Sequence, residues 1–207
     1  MKMEKHNTAT KERGMTLVEV IVVTSLFGIL MLAVGESVAS LYRYNSYTIA
    51  QAYQVDHARR GLETLVRDIR EMGYADDGTF PLARMETQLV GFYSDIDRDD
   101  SVEYVEYELA TSTKLIKRVY NATGTPPTYD LNTPEETYTL SEYVQNLNQA
   151  TSTFYYFNGN GEEITATSTV TDVQYVEARI IVNIDPIRDP GEFTLRSSAS
   201  LRNLKDN

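Results

Sequence analysis

Hydrophobic residues form one long run near the start of the chain. Between positions 15 and 35 the only charged residue is Glu19. A helix of this length, with a rise of ~1.5 Å per residue, spans the hydrocarbon core of a bilayer, and we predict a transmembrane helix segment over residues 15–38. An unpaired carboxylate in such a segment costs about 2.5–3.5 kcal/mol, so Glu19 requires a partner.

After this run, apolar residues recur at alternating spacings of three and four, which indicates a single apolar stripe along a helix. The stripe consists of Val55, Ala58, Leu62, Leu65, Ile69 and Met72, and it is extended towards the N-terminus by Leu41, Tyr44 and Thr48. We therefore predict an amphipathic continuation over residues 39–73. The helix should be nearly continuous from residue 16 to residue 72, with Gly73 as the C′ residue that ends it.

The rest of the sequence alternates between turn-forming and strand-forming stretches. Residues 73–86 are rich in turn formers and are predicted to form a surface loop, and the prolines within residues 123–136 exclude a central strand there. Residues 140–147 fit either a short helix or an irregular edge strand. Strands are predicted at 87–93, 102–110, 114–120, 154–157, 173–184 and 193–201, with turns at 111–113 and 158–161.

The last two of these strands are expected to form the central hairpin of the sheet. A long helix followed by antiparallel strands predicts an α+β fold, in which the helix packs on an antiparallel β-sheet. We expect the globular antiparallel β domain to cover residues 74–207.

The composition narrows the classes of partner. The net charge is −11, whereas contact with phosphate requires clustered Lys and Arg, so no nucleic-acid partner is expected. The chain contains no cysteine, which excludes disulfides, a lipid-modified cysteine and thiolate metal ligands. Burial of the core must therefore stabilise the exported part of the chain.

Charge also predicts the orientation in the membrane. Four basic residues precede the apolar run, whereas Arg43 is the only basic residue soon after it; the four are Lys2, Lys5, Lys11 and Arg13. By the positive-inside rule the N-terminus lies in the cytoplasm and the domain lies outside.

The junction at the start of the apolar run reads Lys11-Glu12-Arg13-Gly14-Met15-Thr16-Leu17-Val18-Glu19. It resembles the leader and cleavage junction of type IV prepilins and type II secretion pseudopilins. The resemblance implies a leader peptide over residues 1–14, which a prepilin peptidase removes by cutting after Gly14 before it methylates the amine of Met15. It also implies that Glu19 acts in filament assembly. Met15 stands where the family usually has phenylalanine, and an ordinary signal anchor is the alternative.

The order of the later elements resembles that of J-type minor pseudopilins and W-type minor pilins. This resemblance implies a structural subunit rather than an enzyme, held in the inner membrane and surrounded by lipid through a single span. An inner-membrane assembly platform would draw it, with other pilins or pseudopilins, into a type IV pilus or a type II secretion pseudopilus. The alternative is a membrane-anchored calcium-binding surface domain that does not polymerise.

Acidic residues stand at positions 1, 3, 5 and 12 of one stretch, namely at Asp95, Asp97, Asp99 and Glu106. This is the oxygen spacing with which an EF-hand loop binds Ca²⁺. Position 6 of such a loop is glycine, whereas this chain has Asp100, and the following residues are predicted to form a strand rather than a helix. The sequence therefore leaves two interpretations, a Ca²⁺ site and a solvated acidic turn, and it indicates no other cofactor.

No catalytic residue is predicted. After the predicted cleavage site His57 is the only histidine, and it falls between the apolar positions of the helix. A serine triad would require His57 to meet a serine and an aspartate from the sheet. We favour the interpretation that His57 is an exposed residue of the helix. A glycosidase would require a pair of carboxylates, and no spacing of acidic residues singles out such a pair.

Overall fold

The computed structural model describes residues 14–99, 101–109, 113–165, 170–188 and 191–201. Some of the predicted features fall wholly or partly outside these residues. They are the leader, Asp100, the turn at 111–113 and the residues on either side of the final predicted strand, 189–190 and 202–207. The chain divides into two compact units, Met1–Tyr47 and Thr48–Asn207. One helix, α1, runs over Leu17–Arg70 and contributes to both units.

In the first unit α1 exposes every side chain from residue 17 to residue 39. It is the one described helix that is long and apolar enough to cross a membrane, with a mean hydropathy of 2.6 in its most apolar window. The few hydroxyl side chains in this stretch donate to carbonyls of their own helix, as Ser25 does to Ile21 (2.7 Å) and Ser37 to Ala33 (2.9 Å). These bonds leave the helix surface without unpaired hydroxyl donors, as hydrocarbon requires.

In the second unit α1 carries the predicted apolar stripe. Ala58, Leu62, Leu65, Ile69 and Met72 are buried, and Val55 is half-buried. The predicted extension of the stripe, Leu41, Tyr44 and Thr48, lies on the helix and is exposed. The first buried residue of α1 within the second unit is Gln51, whose side-chain amide donates to the Val182 carbonyl (3.1 Å) and accepts from the Ile184 N–H (3.0 Å).

The helix ends two residues before the predicted position. After Arg70 the N–H groups of Glu71 and Met72 turn to carbonyls three residues back, which tightens the last turn. Gly73 does not have the positive φ of a C′ glycine; its N–H donates to the Tyr93 carbonyl (3.0 Å). Pairing with the sheet, which includes a bridge between Met72 and Ser94, therefore ends the helix in place of a glycine cap.

Eleven described strands form three antiparallel sheets, and they confirm the α+β class. A five-stranded sheet has the order β1-β2-β3-β4-β7, a four-stranded sheet has the order β11-β10-β8-β9, and β5 pairs only with β6. The strands are β1 Leu82–Met85, β2 Leu89–Ser94, β3 Glu103–Leu109, β4 Leu115–Tyr120, β5 Ala122–Thr123, β6 Thr128–Tyr129, β7 Glu136–Ser141, β8 Phe154–Phe157, β9 Glu163–Ile164, β10 Tyr175–Val182 and β11 Phe193–Ser200.

Three predictions about the strands need correction or completion. The predicted loop 73–86 contains β1, whose alternation is interrupted by a register shift between Leu82 and Arg84. The undecided stretch 140–147 begins as the edge strand β7, and a bridge from Val144 to Val182 follows it. The final hairpin of β10 and β11 forms as predicted, but it is not central, because β11 is an edge strand.

The core lies where the stripe of α1 meets the inner faces of both larger sheets. Phe92 and Val105 of the five-stranded sheet and Phe154 and Ile180 of the four-stranded sheet belong to the same apolar cluster as Leu65. On the outer face of the five-stranded sheet a second cluster contains Tyr93, Tyr104 and Tyr120. This cluster depends on Gly91, because a Cβ there would lie 2.1 Å from the Tyr104 hydroxyl oxygen.

One ion pair is buried within the main core. Asp68 of α1, 1% exposed, accepts from Lys117 Nζ of β4 (2.5 Å) and from the Tyr107 hydroxyl of β3 (2.6 Å) through Oδ2. Its other oxygen, Oδ1, lies 3.3 Å from the Arg67 guanidinium. Burial, followed by the charge of Asp68, raises the pKa of the Tyr107 hydroxyl well above its usual range, which keeps it a donor. The pair thus joins the helix to two strands.

We predict that Lys117→Met destabilises the chain by roughly 3 kcal/mol, because it leaves the Asp68 carboxylate buried without its closest cation. The double variant Asp68→Leu, Lys117→Met should recover much of this loss, since no unpaired charge remains. Urea unfolding can be followed by tyrosine fluorescence, since the chain has 15 Tyr and no Trp. A single variant as stable as the parent chain would contradict this account.

Candidate functional site

The predicted processing residues lie at the start of α1. Gly14 and Met15 are exposed and precede the helix. Thr16 is its N-cap: the Thr16 carbonyl accepts from the Val20 N–H (3.2 Å), and Thr16 Oγ1 accepts from the Glu19 N–H (3.3 Å). Glu19 is therefore the third residue of the helix and lies, exposed, in its first turn.

This cap was missed in the sequence, although the spacing Thr-x-x-Glu at residues 16–19 is its signal. An acidic side chain in the first turn faces the positive end of the helix dipole. The carboxylate of Glu19 thus has one favourable electrostatic partner within its own helix. A free amine on Met15, four residues before it, would be a second.

The three predicted aspartates lie together in the loop after β2. One carboxylate oxygen from each of Asp95, Asp97 and Asp99 lies within 4.8 Å of the other two. Asp95 Oδ1 accepts from the Arg98 N–H (2.6 Å), and Asp99 Oδ1 accepts from the Ser101 N–H (2.9 Å). These bonds hold the turn, and Arg98 has a φ of 65° within it.

The fourth predicted ligand, Glu106, lies elsewhere. It is buried in β3, where its carboxylate pairs with Arg84 (2.9 Å) and Arg118 (2.9 Å). The EF-hand spacing assumes a loop that folds back on itself, whereas residues 103–109 are extended. Glu106 is not part of the aspartate cluster, and its carboxylate already pairs with two guanidinium groups.

Glu103 is the acid that the strand brings towards the aspartates. Its carboxylate accepts from the Ile96 N–H (2.9 Å), and the residue is only 2% exposed. Burial, and to a lesser degree the charges of Asp97, Asp99 and Asp95, raise the pKa of Glu103 from 4.5 to about 7. No sequence signal singles out this residue, because its burial depends on the packing around β3.

Three carboxylates close together are an oxygen donor set of the kind that Ca²⁺ accepts. Two of them already accept backbone N–H groups through one oxygen, and their other oxygens can still coordinate an ion. The donor set is therefore compatible with a calcium ion held by Asp95, Asp97 and Asp99, with further ligands from backbone carbonyls or water.

Comparison with known proteins identifies the N-terminal region. Residues 9–35 match the family model of the prokaryotic N-terminal methylation motif. This match supports the resemblance of the N-terminal region to type IV pilin-like proteins and pseudopilins. No curated relative and no solved structure matches the chain.

The motif indicates processing by prepilin peptidase, and together with the apolar helix it fits a membrane-anchored chain. The matched residues include Gly14, Met15 and Glu19, which the sequence had singled out. His57, considered above for catalysis, is exposed on α1, with its ring 4.4 Å from that of Tyr53.

The raised pKa of Glu103 predicts a pH dependence of stability. The pKa of Glu103 is higher in the folded chain than in the unfolded chain. Folding is therefore coupled to the uptake of a proton by Glu103 between about pH 4.5 and pH 7. Ionised Glu103 therefore destabilises the fold increasingly as the pH rises through this window, and fully above it.

Glu103→Gln removes the charge and keeps an acceptor for the Ile96 N–H. We expect the variant to be more stable than the parent chain by roughly 1–2 kcal/mol near pH 8 and about equally stable near pH 4, as measured by urea unfolding. Glu135→Gln, at an exposed acid, is the matched control. An equal gain at both pH values would show that Glu103 is not the titrating group.

Proposed function

We propose that this chain is a minor subunit of a type IV pilus or of a type II secretion pseudopilus, of the J-type pseudopilin or W-type pilin class. The observation that carries the proposal is the start of α1. The helix exposes all its side chains from residue 17 to residue 39, and its only charged residue before Glu36 is Glu19, in the first turn. The order of elements in the second unit supports the subunit class.

In this proposal the peptidase cuts between Gly14 and Met15 and leaves a new amine at the membrane surface. Within the bilayer the carboxylate of Glu19 is costly unless a positive group lies beside it. A neighbouring subunit in the filament supplies such a group through its own Met15 amine. An inner-membrane assembly platform moves the processed subunit into the filament, and the domain lies in the periplasm or outside the cell.

A second function is favoured by the aspartate cluster. In that alternative the chain is a membrane-anchored surface domain that binds Ca²⁺ through Asp95, Asp97 and Asp99 and does not polymerise. The two functions differ in their dependence on Glu19, because an anchor needs only the apolar helix, whereas an assembled subunit needs the carboxylate.

We expect Glu19→Leu to be processed and inserted normally but to lose incorporation into filaments by tenfold or more, about 1.4 kcal/mol or more in assembly free energy. Glu19→Asp should be intermediate, because it keeps the charge and shortens the reach. N-terminal mass analysis, with a mature start at Met15, measures processing, and co-purification with partner pilins measures assembly.

Glu36→Leu is the matched control, since Glu36 is an exposed acid of the same helix beyond the apolar run. It should assemble normally. If Glu19→Leu assembles as well as the parent chain, the anchored domain becomes the better account. A chain that keeps Met1, or that is cut near Ala39, contradicts processing of the prepilin type.

For the aspartate cluster we expect added Ca²⁺ to raise the melting temperature of the detergent-solubilised chain. A concentration one hundred times the dissociation constant adds about 2.7 kcal/mol to the free energy of unfolding. Asp97→Asn should abolish the increase, and Mg²⁺, which requires a smaller octahedral site, should produce little of it. Identical melting curves in chelator and in millimolar Ca²⁺ would leave only an acidic turn.

A further inference from the structure

The outer edge of β11 is open within the part of the chain that the structure describes. β11 ends the four-stranded sheet and pairs with β10 along all eight of its residues. No described backbone group pairs with its other side. A strand edge of this length presents N–H and C=O groups on which another extended segment can pair.

A groove runs beside this edge. It has a volume of ≈ 440 Å³ and lies between α1 and Ser197 of β11; its walls on the helix are Glu63, Val66, Arg67, Arg70 and Glu71. Ser197 faces the same side of the sheet as the buried Ala199, and its small side chain leaves the space open. A strand added to β11 would direct alternate side chains into this groove.

The groove carries positive charge that is not balanced within the described residues. Arg70 is exposed and has no ion-pair partner there. Arg67 contacts only Asp68, whose closest cation is Lys117. The two acids of the groove are already paired, Glu63 with Arg59 (3.1 Å) and Glu71 with Arg98 (3.2 Å). The groove therefore fits a strand that places an apolar or aromatic side chain against Val66. An acidic side chain two residues along that strand would lie near Arg67 and Arg70.

Strand β7 of this chain has that pattern. It ends the five-stranded sheet, and its residues 136–139 are exposed, whereas Leu140 packs against Gly61 of α1. Glu136 and Tyr138 lie two residues apart, on the same side as their strand partners Val119 and Lys117. Tyr138 is 47% exposed, and its hydroxyl donates to the Glu136 carboxylate of the same copy.

We propose that β7 of a second copy of this chain adds to the outer edge of β11. In this contact Glu136 of one copy pairs with Arg67 and Arg70 of the other, and the Tyr138 ring covers Val66. The two edges differ, so the contact joins unlike surfaces of the two copies. The inference deepens the proposed filament function, on which it rests, by naming a contact between exported domains that does not involve Glu19.

The chain contains no cysteine, so introduced cysteines report this contact cleanly. Two versions of the full chain with different epitope tags, one carrying Thr137→Cys and one carrying Ser198→Cys, are expressed together in cells. Both positions are exposed and lie on the sheet faces away from α1. A short bis-maleimide reagent should link the two versions into a heterodimer. Neither version expressed alone should link to itself, because the contact joins unlike edges.

Charge exchange tests the groove in the same assay. Arg70→Glu in the Ser198→Cys version should lower the heterodimer yield about fivefold, and Glu136→Arg in the Thr137→Cys version should restore it. A misfolded variant would not be restored. Asn160→Cys, at an exposed turn of the other end of the sheet, replaces Ser198→Cys as the control and should give no product.

Absence of the heterodimer, a self-linked Ser198→Cys product, or links only to other proteins or within one chain would overturn the inference. Filament incorporation is measured in the same cells. If the chain enters filaments but no heterodimer forms, only the edge contact is refuted. If neither filaments nor the heterodimer are found, the filament proposal is refuted as well. A charge-dependent heterodimer without filaments supports the edge contact between copies and refutes the filament proposal.

Discussion

A single 54-residue helix has to meet two different apolar environments, and the rest of the structure depends on this constraint. Where the helix is suited to hydrocarbon, it is apolar on all sides and buries nothing within the chain. From Gln51 onwards only one stripe is apolar, and the sheets cover that stripe. The change from an apolar cylinder to an apolar stripe separates the part that a membrane can accept from the part that folds a domain.

Within the second unit the helix is fixed at two points by polar groups rather than by apolar contact alone. Gln51 binds the backbone after and within β10, and Asp68 binds Lys117 and Tyr107 of the other sheet. Apolar packing would tolerate a small rotation of the helix, but each of these buried groups loses its partners when the helix turns. They therefore specify how the helix is oriented against each sheet, more than they add to stability.

The sequence predicted the structural elements wherever the apolar residues recur with one regular spacing. The stripe of α1 and the strands β2, β3, β4, β8, β10 and β11 follow regular spacing, so the helix, the hairpins and the α+β class could be predicted. The period is broken at β1 by a register shift, and the helix end at Arg70 is decided by pairing with the sheet. Glu103 and Asp68 could not be recognised as buried, because three-dimensional packing alone distinguishes them from solvated acids. At residues 9–35 the residue types alone were enough to recognise the methylation motif, because the motif is local in sequence.

If the chain assembles into a filament as proposed, the cap at Thr16 limits what Glu19 can contribute to assembly. In a lone processed subunit the carboxylate already lies near the positive end of its own helix and within four residues of its own amine. Assembly therefore gains only the difference between these contacts and the contact with a neighbour's amine, which is less than the full cost of an unpaired carboxylate in a bilayer. A small gain in free energy per subunit is enough to select one register between neighbouring apolar helices. A stable filament needs further contacts. Those contacts have to come from the exposed apolar surface of the helix in the first unit and from surfaces of the second unit, where unpaired strand edges offer the most specific ones.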